Sequence, residues 1–318
     1  MTATAVKHLI KFDDLTKKSV EKIIKRAFEF KKAHEKGIRK EAVLQGKSVA
    51  IIFEKPSLRT RVAFELGTKY LGGEVVYLSA PQIFASGSNE SGRESIPDIS
   101  RVLERFVDLI VARVYQTETL EEINRVIACP VVNALCDKHH PSQALADLMC
   151  IQWHKGSTDG VKVAYVGDGN NVTNSLMQMC AMMGMDFSFA GPKNYEVSVE
   201  DQKIAQSYAA VSGAKLNFYE DPFEAVEQAD VIYADTFISM GEEDQREQKL
   251  REFKNYQVNK KLMDAANKDA LFMHCLPAHR EEEVSTEVID SPASVVFDQA
   301  ECRMHVAKAI ITHFLGEQ

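Results

Sequence analysis

The residues best suited to bind an anion lie in one short segment, Glu54-Lys55-Pro56-Ser57-Leu58-Arg59-Thr60-Arg61. It follows an apolar run, which Pro56 ends, and Ser57 suits the cap of a following helix. Free backbone N–H groups and the dipole at a helix N-terminus favour an anion. The arginines and hydroxyls of this segment add donors that suit phosphate. A capped helix with solvated arginines is the alternative, and the segment alone leaves both interpretations open.

Further polar residues follow other apolar runs. Arg113 comes directly after Leu109–Ala112, and His139-His140-Pro141-Ser142-Gln143 follows the next apolar pair. A proline holds the residue before it, His140, in an extended conformation. Gln143 then falls in the first turn of a helix, where its amide is available to a ligand. A surface ion pair for Arg113 and a structural role for His140 are the alternatives.

Two segments in the second half of the chain show the same arrangement. Asp235 follows the apolar run Val231–Ala234 and begins Asp235-Thr236-Phe237-Ile238-Ser239-Met240-Gly241, and His274-Cys275-Leu276-Pro277 follows another run. An aspartate there can pair with a ligand ammonium or cap a helix. A Leu-Pro pair favours a cis bond or a tight turn. Cys275 is a candidate nucleophile with His274 or His140 as its base, or a small buried thiol.

Two segments resemble nucleotide-binding motifs and fail the tests for them. Gly167-Asp168-Gly169-Asn170-Asn171 lacks the third glycine of a dinucleotide fingerprint, and the next strand is not followed by an acidic residue. A nicotinamide cofactor is therefore disfavoured. Gly46-Lys47-Ser48 lacks the first glycine of a P-loop, because position 41 is Glu, and it precedes a strand instead of following one.

The elements that position these residues alternate between short apolar runs and helix-length periodic segments. Strands are predicted over 47–53, 75–78, 109–112, 161–166, 186–190, 231–234, 270–274 and 295–297. Helices are predicted over 59–71, 98–106, 172–183, 199–212 and 304–315. This alternation predicts an α/β fold of two domains, each a parallel sheet flanked by helices. Ligands bind such sheets outside the carboxyl ends of the strands, where the polar segments lie.

Composition narrows the class of protein. The chain has 318 residues and a net charge of −8, which disfavours nucleic acid and anionic membrane surfaces as partners. Its six cysteines form no CxxC pair, so a reducing compartment is expected. The N-terminus has no apolar signal region, and no apolar run is long enough to cross a membrane. We expect a soluble cytoplasmic protein.

Taken together, these segments resemble the transcarbamylase family, and within it the branch that acts on ornithine. The resemblance rests on Ser57-Leu58-Arg59-Thr60-Arg61, His140-Pro141-Ser142-Gln143, Asp235 with Ser239-Met240-Gly241, His274-Cys275-Leu276-Pro277, and Phe297-Asp298-Gln299-Ala300-Glu301-Cys302-Arg303. It implies a carbamoyl phosphate domain of residues 1–146 plus 300–318 and an ornithine domain of residues 147–299. It also implies a homotrimer with shared active sites and transfer of a carbamoyl group from carbamoyl phosphate to the δ-amine of L-ornithine, giving citrulline.

The resemblance also implies the roles of individual residues. The catalytic residues would be Arg113, His140 and Cys275. Carbamoyl phosphate would be bound by Ser57, Leu58, Arg59, Thr60, Arg113, His140, Pro141, Ser142, Gln143, Cys275, Leu276 and Arg303. Ornithine would be bound by Asn171, Asp235, Ser239 and Met240. No cofactor and no metal are implied, and Cys275 is better interpreted as a substrate-positioning residue than as a nucleophile.

Two departures from the family pattern and several alternatives remain. Phe237 stands where the family usually has tryptophan, and the loop 84–94 looks longer than usual, which leaves Gln82 and Asn89 both open as contacts to a neighbouring subunit. Transfer to aspartate, putrescine or an N-acylornithine is an alternative reaction. A non-catalytic amino-acid-binding module is another, although it would not require the arginine-hydroxyl cluster together with His140. The direction of flux is not predicted by these residues.

Overall fold

The computed structural model describes residues 8–79, 94–239 and 243–316. It divides into two compact units, the first comprising Met1–Ala146 with Glu301–Gln318 and the second Asp147–Ala300. The chain therefore passes between the units twice. Of the helices that the structure describes in these ranges, none is both long and apolar enough to cross a membrane.

The described part of the first unit contains a parallel sheet of four strands in the order β2-β1-β3-β4. The strands are β1 (Ser48–Phe53), β2 (Glu74–Ser79), β3 (Leu109–Arg113) and β4 (Val131–Leu135). Strand β3 is buried along its whole length, as expected for the interior of a parallel sheet covered on both faces. The register between β3 and β4 shifts between Ala112 and Arg113. Arg113, a candidate site residue, is the last residue of β3.

Helices connect these strands. They are α1 (Lys17–Glu35), α2 (Leu58–Tyr70), α3 (Ile96–Leu103), α4 (Thr117–Val126) and α5 (Pro141–Lys155), the last of which continues into the second unit. The side chains of Thr16, Ser57 and Ser95 each cap the helix that follows them by accepting a backbone N–H. The cap predicted at Ser57 is thereby confirmed.

The described part of the second unit contains a parallel sheet of five strands in the order β7-β6-β5-β8-β9. These are β5 (Lys162–Val166), β6 (Asp186–Ala190), β7 (Leu216–Tyr219), β8 (Val231–Ala234) and β9 (Leu271–His274). The helices are α6 (Asn171–Met183), α7 (Val199–Ser212), α8 (Pro222–Val226), α9 (Arg246–Glu252), α10 (Lys260–Met263) and α11 (Thr286–Ile289). The last helix, α12 (Val296–Leu315), begins in the second unit and continues into the first. The predicted α/β class and the parallel sheets are confirmed.

One predicted strand, 295–297, is wrong. Only a short bridge forms there: Phe272 donates its N–H to Ala293 at 2.8 Å, and Val295 donates to Phe272 at 3.0 Å. The chain then turns directly into α12, which begins at Val296, eight residues before the predicted start at position 304. A run of three apolar residues fits the end of a buried strand and the start of a buried helix equally well.

Candidate active site

The first candidate group surrounds the N-terminus of α2. The Ser57 hydroxyl accepts the Thr60 N–H at 3.3 Å, so the first turn of the helix is fixed by its own sequence. The Thr60 side chain is buried, and its hydroxyl accepts an N–H from the guanidinium of Arg303. The structure thus brings Arg303, on α12, to the anion-binding turn predicted around Arg59. A helix N-terminus with a guanidinium beside it suits a phosphate.

Arg113 is the last residue of β3, and His140 lies shortly after β4, the neighbouring strand. Both side chains are almost completely buried. Burial lowers the pKa of His140 well below its usual value, and the positive charges of Arg303 and Arg113 lower it further. His140 is therefore a neutral imidazole at physiological pH, able to donate a hydrogen bond to a carbonyl oxygen without acting as a cation.

The backbone around His140 explains its position. Its carbonyl oxygen accepts the N–H of Gln143 at 3.0 Å and that of Ala144 at 3.2 Å, which opens α5. Pro141 is the first residue of that helix, where its missing N–H costs nothing. Gln143 lies in the first turn as predicted, and its side chain is buried.

The loop that carries His140 is held by residues that the sequence analysis did not single out. The buried Asn133 side chain donates to the Ile10 carbonyl at 2.6 Å. Cys136 accepts the Thr117 hydroxyl at 3.1 Å and lies 3.6 Å from the carbonyl of His139. The sequence carried a signal for this role, because Asn133 stands within an otherwise apolar strand and a buried amide requires hydrogen-bond partners.

In the second unit, Asp235 is the centre of a hydrogen-bonded cluster. One carboxylate oxygen accepts the Thr236 N–H at 2.8 Å and the Cys275 thiol at 3.0 Å. The other oxygen accepts the side-chain amide of Asn170 at 3.0 Å. The cluster joins the residues that follow β5, β8 and β9, three neighbouring strands of one sheet. It provides a buried carboxylate for a ligand ammonium.

Asn170, which was not among the predicted site residues, donates its side-chain amide to Asp235. The Asn170 side-chain oxygen accepts the N–H groups of Val172 at 2.9 Å and Thr173 at 3.2 Å, which caps α6. Its amide group is left to face the carboxylate. Asn171 is the half-buried first residue of α6. The signal for the cap was present in the sequence, since asparagine is a preferred residue before a helix.

The segment His274-Cys275-Leu276-Pro277 leaves β9 in an unusual backbone conformation. Leu276 has φ +58, and the Leu276–Pro277 peptide is cis, one of the two alternatives predicted for the Leu-Pro pair. The Leu276 N–H donates to His274 Nδ1 at 2.9 Å, which places the proton of that ring on Nε2. His274 Nε2 lies 3.2 Å from a carboxylate oxygen of Glu283, and both side chains are fully buried. Neither His274 nor Glu283 is therefore placed to act as a base for a distant group.

Two further contacts involve residues that follow β5 and β8. Lys249, on α9, forms a buried ion pair with Asp168, with Nζ and Oδ2 2.7 Å apart. The ring of Phe237 stacks on Phe253 with centroids 4.7 Å apart, so phenylalanine fills the position as a packing residue. Ser239 is half-buried. Met240, Gln82 and Asn89 lie outside the described residues.

Two groups of described side chains have ligand atoms close enough to share a metal ion. Asp235, His274 and Cys275 place one ligand atom each within 4.8 Å of one another, and His279, Glu282 and Glu283 do the same. The first set offers oxygen, nitrogen and sulfur, which zinc accepts. In both sets the side chains already bond to the protein, as the contact of Cys275 with Asp235 shows.

Two consecutive stretches of the chain match two family models whose descriptions name a single enzyme family. Residues 7–153 match the carbamoyl-P binding domain of aspartate/ornithine carbamoyltransferase, and residues 159–314 match its Asp/Orn binding domain. The chain belongs to the aspartate/ornithine carbamoyltransferase family. The resemblance inferred from the motifs is confirmed.

Individual carbamoyltransferases narrow the likeness to the ornithine branch. The chain is 46% identical over 310 residues to ornithine carbamoyltransferase of Bacillus subtilis, covering 97% of this chain and 94% of that protein. The crystallised ornithine carbamoyltransferase of Pyrococcus furiosus superposes with a TM-score of 0.92 at 44% identity, with 99% of each chain covered. The anabolic enzyme of Campylobacter jejuni gives a TM-score of 0.89 at 39% identity, over 97% of this chain and 98% of that one.

Proposed function

We propose that this protein transfers the carbamoyl group of carbamoyl phosphate to the δ-amine of L-ornithine, giving L-citrulline and phosphate. The observation that carries the choice of ornithine is Asp235, a buried carboxylate held by donors from Asn170, Thr236 and Cys275. A carboxylate there suits the α-ammonium that ornithine keeps when it reacts through its δ-amine, whereas aspartate would have to react through its α-amine. The reaction belongs to arginine biosynthesis, the direction implied by relatives that are described as anabolic.

The first unit supplies the groups that the phosphate and the developing oxyanion need. Transfer proceeds by direct attack of the neutral amine on the carbamoyl carbon. The C–O bond to phosphate breaks, and the departing phosphate takes up the proton that the attacking nitrogen loses. Ser57, Arg59, Thr60 and Arg303 bind the phosphate, together with the backbone of Leu58. Positioned donors of this kind stabilise the charge that develops in the transition state.

The carbamoyl group is oriented by the other residues assigned to the first unit. Arg113 and the neutral His140 donate to the carbamoyl oxygen as it gains negative charge. The Gln143 side chain, at the start of the helix that Pro141 and Ser142 begin, accepts from the carbamoyl NH₂. The carbonyls of Cys275 and Leu276 are proposed to accept from that same NH₂.

The second unit binds the amino acid. Asp235 pairs with the α-ammonium, while Asn171 and the Met240 N–H receive the α-carboxylate and Ser239 contributes a hydroxyl. Because the thiol of Cys275 donates to Asp235, it is engaged in orienting that carboxylate. No covalent carbamoyl-thiol intermediate is needed in this scheme, since ornithine brings its own nucleophile.

Three further assignments accompany this function. Residues 1–146 with 300–318 form the carbamoyl phosphate domain, and residues 147–299 form the ornithine domain. The protein assembles as a homotrimer in which neighbouring subunits share active sites, and it works in the cytoplasm. Equilibrium sedimentation of the full chain tests the trimer, and a monomer that is fully active would refute shared sites.

A citrulline assay tests the reaction. The protein is incubated with carbamoyl phosphate and, in separate reactions, ornithine, aspartate, putrescine or N-acetylornithine. We expect kcat/KM for ornithine to exceed the others by at least roughly a hundredfold, because the rejected amines leave buried polar groups without partners. Comparable rates with aspartate or putrescine would refute the assignment of ornithine, and no carbamoylated product from any amine would favour a binding module.

A further inference from the structure

Within the segment Phe297-Asp298-Gln299-Ala300-Glu301-Cys302-Arg303, Gln299 is a buried polar residue to which the proposed reaction assigns no role. Gln299 is almost completely buried, with 1% of its surface exposed. Its side-chain oxygen accepts the backbone N–H of His274 at 2.9 Å. Its amide group donates to Asp147 at 2.7 Å and to the hydroxyl oxygen of Tyr233 at 3.0 Å.

The bond to His274 completes the outer edge of the sheet. Strand β9 is an edge strand, and every second N–H along it points away from β8. The first of these, at Phe272, is taken by the carbonyl of Ala293 at 2.8 Å. The next, at His274, is taken by the Gln299 side chain. A side chain thus replaces a neighbouring strand at the last residue before Cys275 and Leu276.

The chemistry of its partners fixes the orientation of the Gln299 amide. A backbone N–H can only donate, so the side-chain oxygen must face His274. The amide nitrogen then faces Asp147, whose carboxylate also accepts the Tyr233 hydroxyl at 3.2 Å. Asp147, Tyr233 and His274 are fully buried, and buried networks of this kind hold their members in one arrangement.

We propose that Gln299, oriented by Asp147 and Tyr233, is a positioning residue that sets the carbonyls of Cys275 and Leu276 against the carbamoyl NH₂. The inference rests on the proposed function, which places that group at those carbonyls. Without Gln299, the His274 N–H loses its acceptor, and the outer edge of β9 loses its bond at the last residue before Cys275. Small displacements of groups that orient a reacting centre lower the rate strongly.

The test compares Gln299→Met with a matched control. Methionine has a similar volume but no hydrogen-bonding amide. Gln178→Met is the control, because Gln178 is also a fully buried glutamine of the second unit that donates to a carboxylate, that of Asp201 at 2.9 Å. Citrulline formation gives kcat and kcat/KM for carbamoyl phosphate, and thermal unfolding reports folding. Inhibition by inorganic phosphate and by L-norvaline, which lacks the δ-amine, reports binding at the two ends of the site.

We expect Gln299→Met to lower kcat/KM for carbamoyl phosphate at least about tenfold. The inhibition constants of phosphate and norvaline should stay within about twofold, and Gln178→Met should keep kcat/KM within about threefold. Equal losses in both variants, or unchanged kinetics in folded Gln299→Met, would overturn the inference. If Gln299→Met does not fold, Gln299→Asn replaces it, because its side chain is one methylene shorter and draws the amide back from its partners. Gln299→Asn must then show the same loss of kcat/KM with unchanged inhibition constants. A wild-type protein that forms no citrulline would instead refute the proposed function.

Discussion

Replacing Asp235 by asparagine separates recognition of ornithine from binding of carbamoyl phosphate. The substitution removes the negative charge opposite the α-ammonium but hardly changes the volume of the side chain. Removing one partner of a buried, hydrogen-bonded charge pair costs about 2–5 kcal/mol. Such a loss corresponds to a fall in kcat/KM for ornithine of about 30- to 4,000-fold.

The structure adds a second cost, on folding stability. Asparagine at position 235 directs its NH₂ either at the amide of Asn170 or at the N–H of Thr236, and both are donors. Asn170 cannot turn to offer its oxygen, since that oxygen caps α6. A buried donor without an acceptor costs about 1–3 kcal/mol, so the free energy of unfolding should fall by that amount.

Steady-state citrulline assays and urea unfolding measure the two effects. Asp201→Asn is the matched control, because Asp201 is a buried carboxylate of the same unit that accepts from Gln178 and Ser198. We expect the control to lose stability while it keeps kcat/KM for ornithine within about threefold. Inhibition by inorganic phosphate should be unchanged in both variants. A folded Asp235→Asn protein with wild-type kcat/KM for ornithine would refute the role given to this carboxylate.

Three further outcomes are expected. Arg59→Ala should lower kcat/KM for carbamoyl phosphate by about two orders of magnitude through loss of a charged phosphate donor, and unchanged inhibition by inorganic phosphate in a folded variant would contradict this. Cys275→Ser should keep turnover within about a hundredfold and raise KM for ornithine, whereas a carbamoyl-thiol adduct detected by mass spectrometry would establish a covalent route. Because burial and the charges of Arg303 and Arg113 lower the pKa of His140, the unfolded chain takes up a proton there before the folded protein does. The contribution of His140 to the free energy of unfolding is therefore intact above about pH 6.5 and is lost as pH falls toward the pKa of His140 in the folded protein. In urea unfolding across pH 5–8, the free energy of unfolding of His140→Asn should fall less steeply with decreasing pH than that of the wild type. Equal slopes would contradict this.

Much of the fold was predictable because parallel strands buried on both faces leave continuous apolar runs. The runs before Glu54, Arg113, Asp168 and Asp235 all became strands of the two sheets. Strand β7 (Leu216–Tyr219) was not predicted, because it lies at the edge of its sheet and is only partly buried. A strand that is only partly buried along its whole length gives a weaker apolar signal than one covered on both faces.

The candidate site was predictable where a residue's position follows from its own segment. Ser57 and Gln143 depend on helix starts, which are local, and both lie where the sequence placed them. Contacts between distant segments were not predictable from periodicity. The pairing of Lys249 with Asp168 joins positions separated by 81 residues, and that of Gln299 with Asp147 joins positions separated by 152.

Asn170 and Gln299 each connect backbone N–H groups to a buried carboxylate. Each turns its side-chain oxygen to backbone N–H groups and its NH₂ to a buried carboxylate, Asp235 for Asn170 and Asp147 for Gln299. A carboxylate in place of either amide would meet another carboxylate at about 3 Å, where two like charges cannot both ionise. An apolar side chain would leave the backbone N–H groups unsatisfied. A side-chain amide, with an acceptor and a donor at one end, joins a donor-only backbone group to an acceptor-only carboxylate, which explains why amides suit both positions.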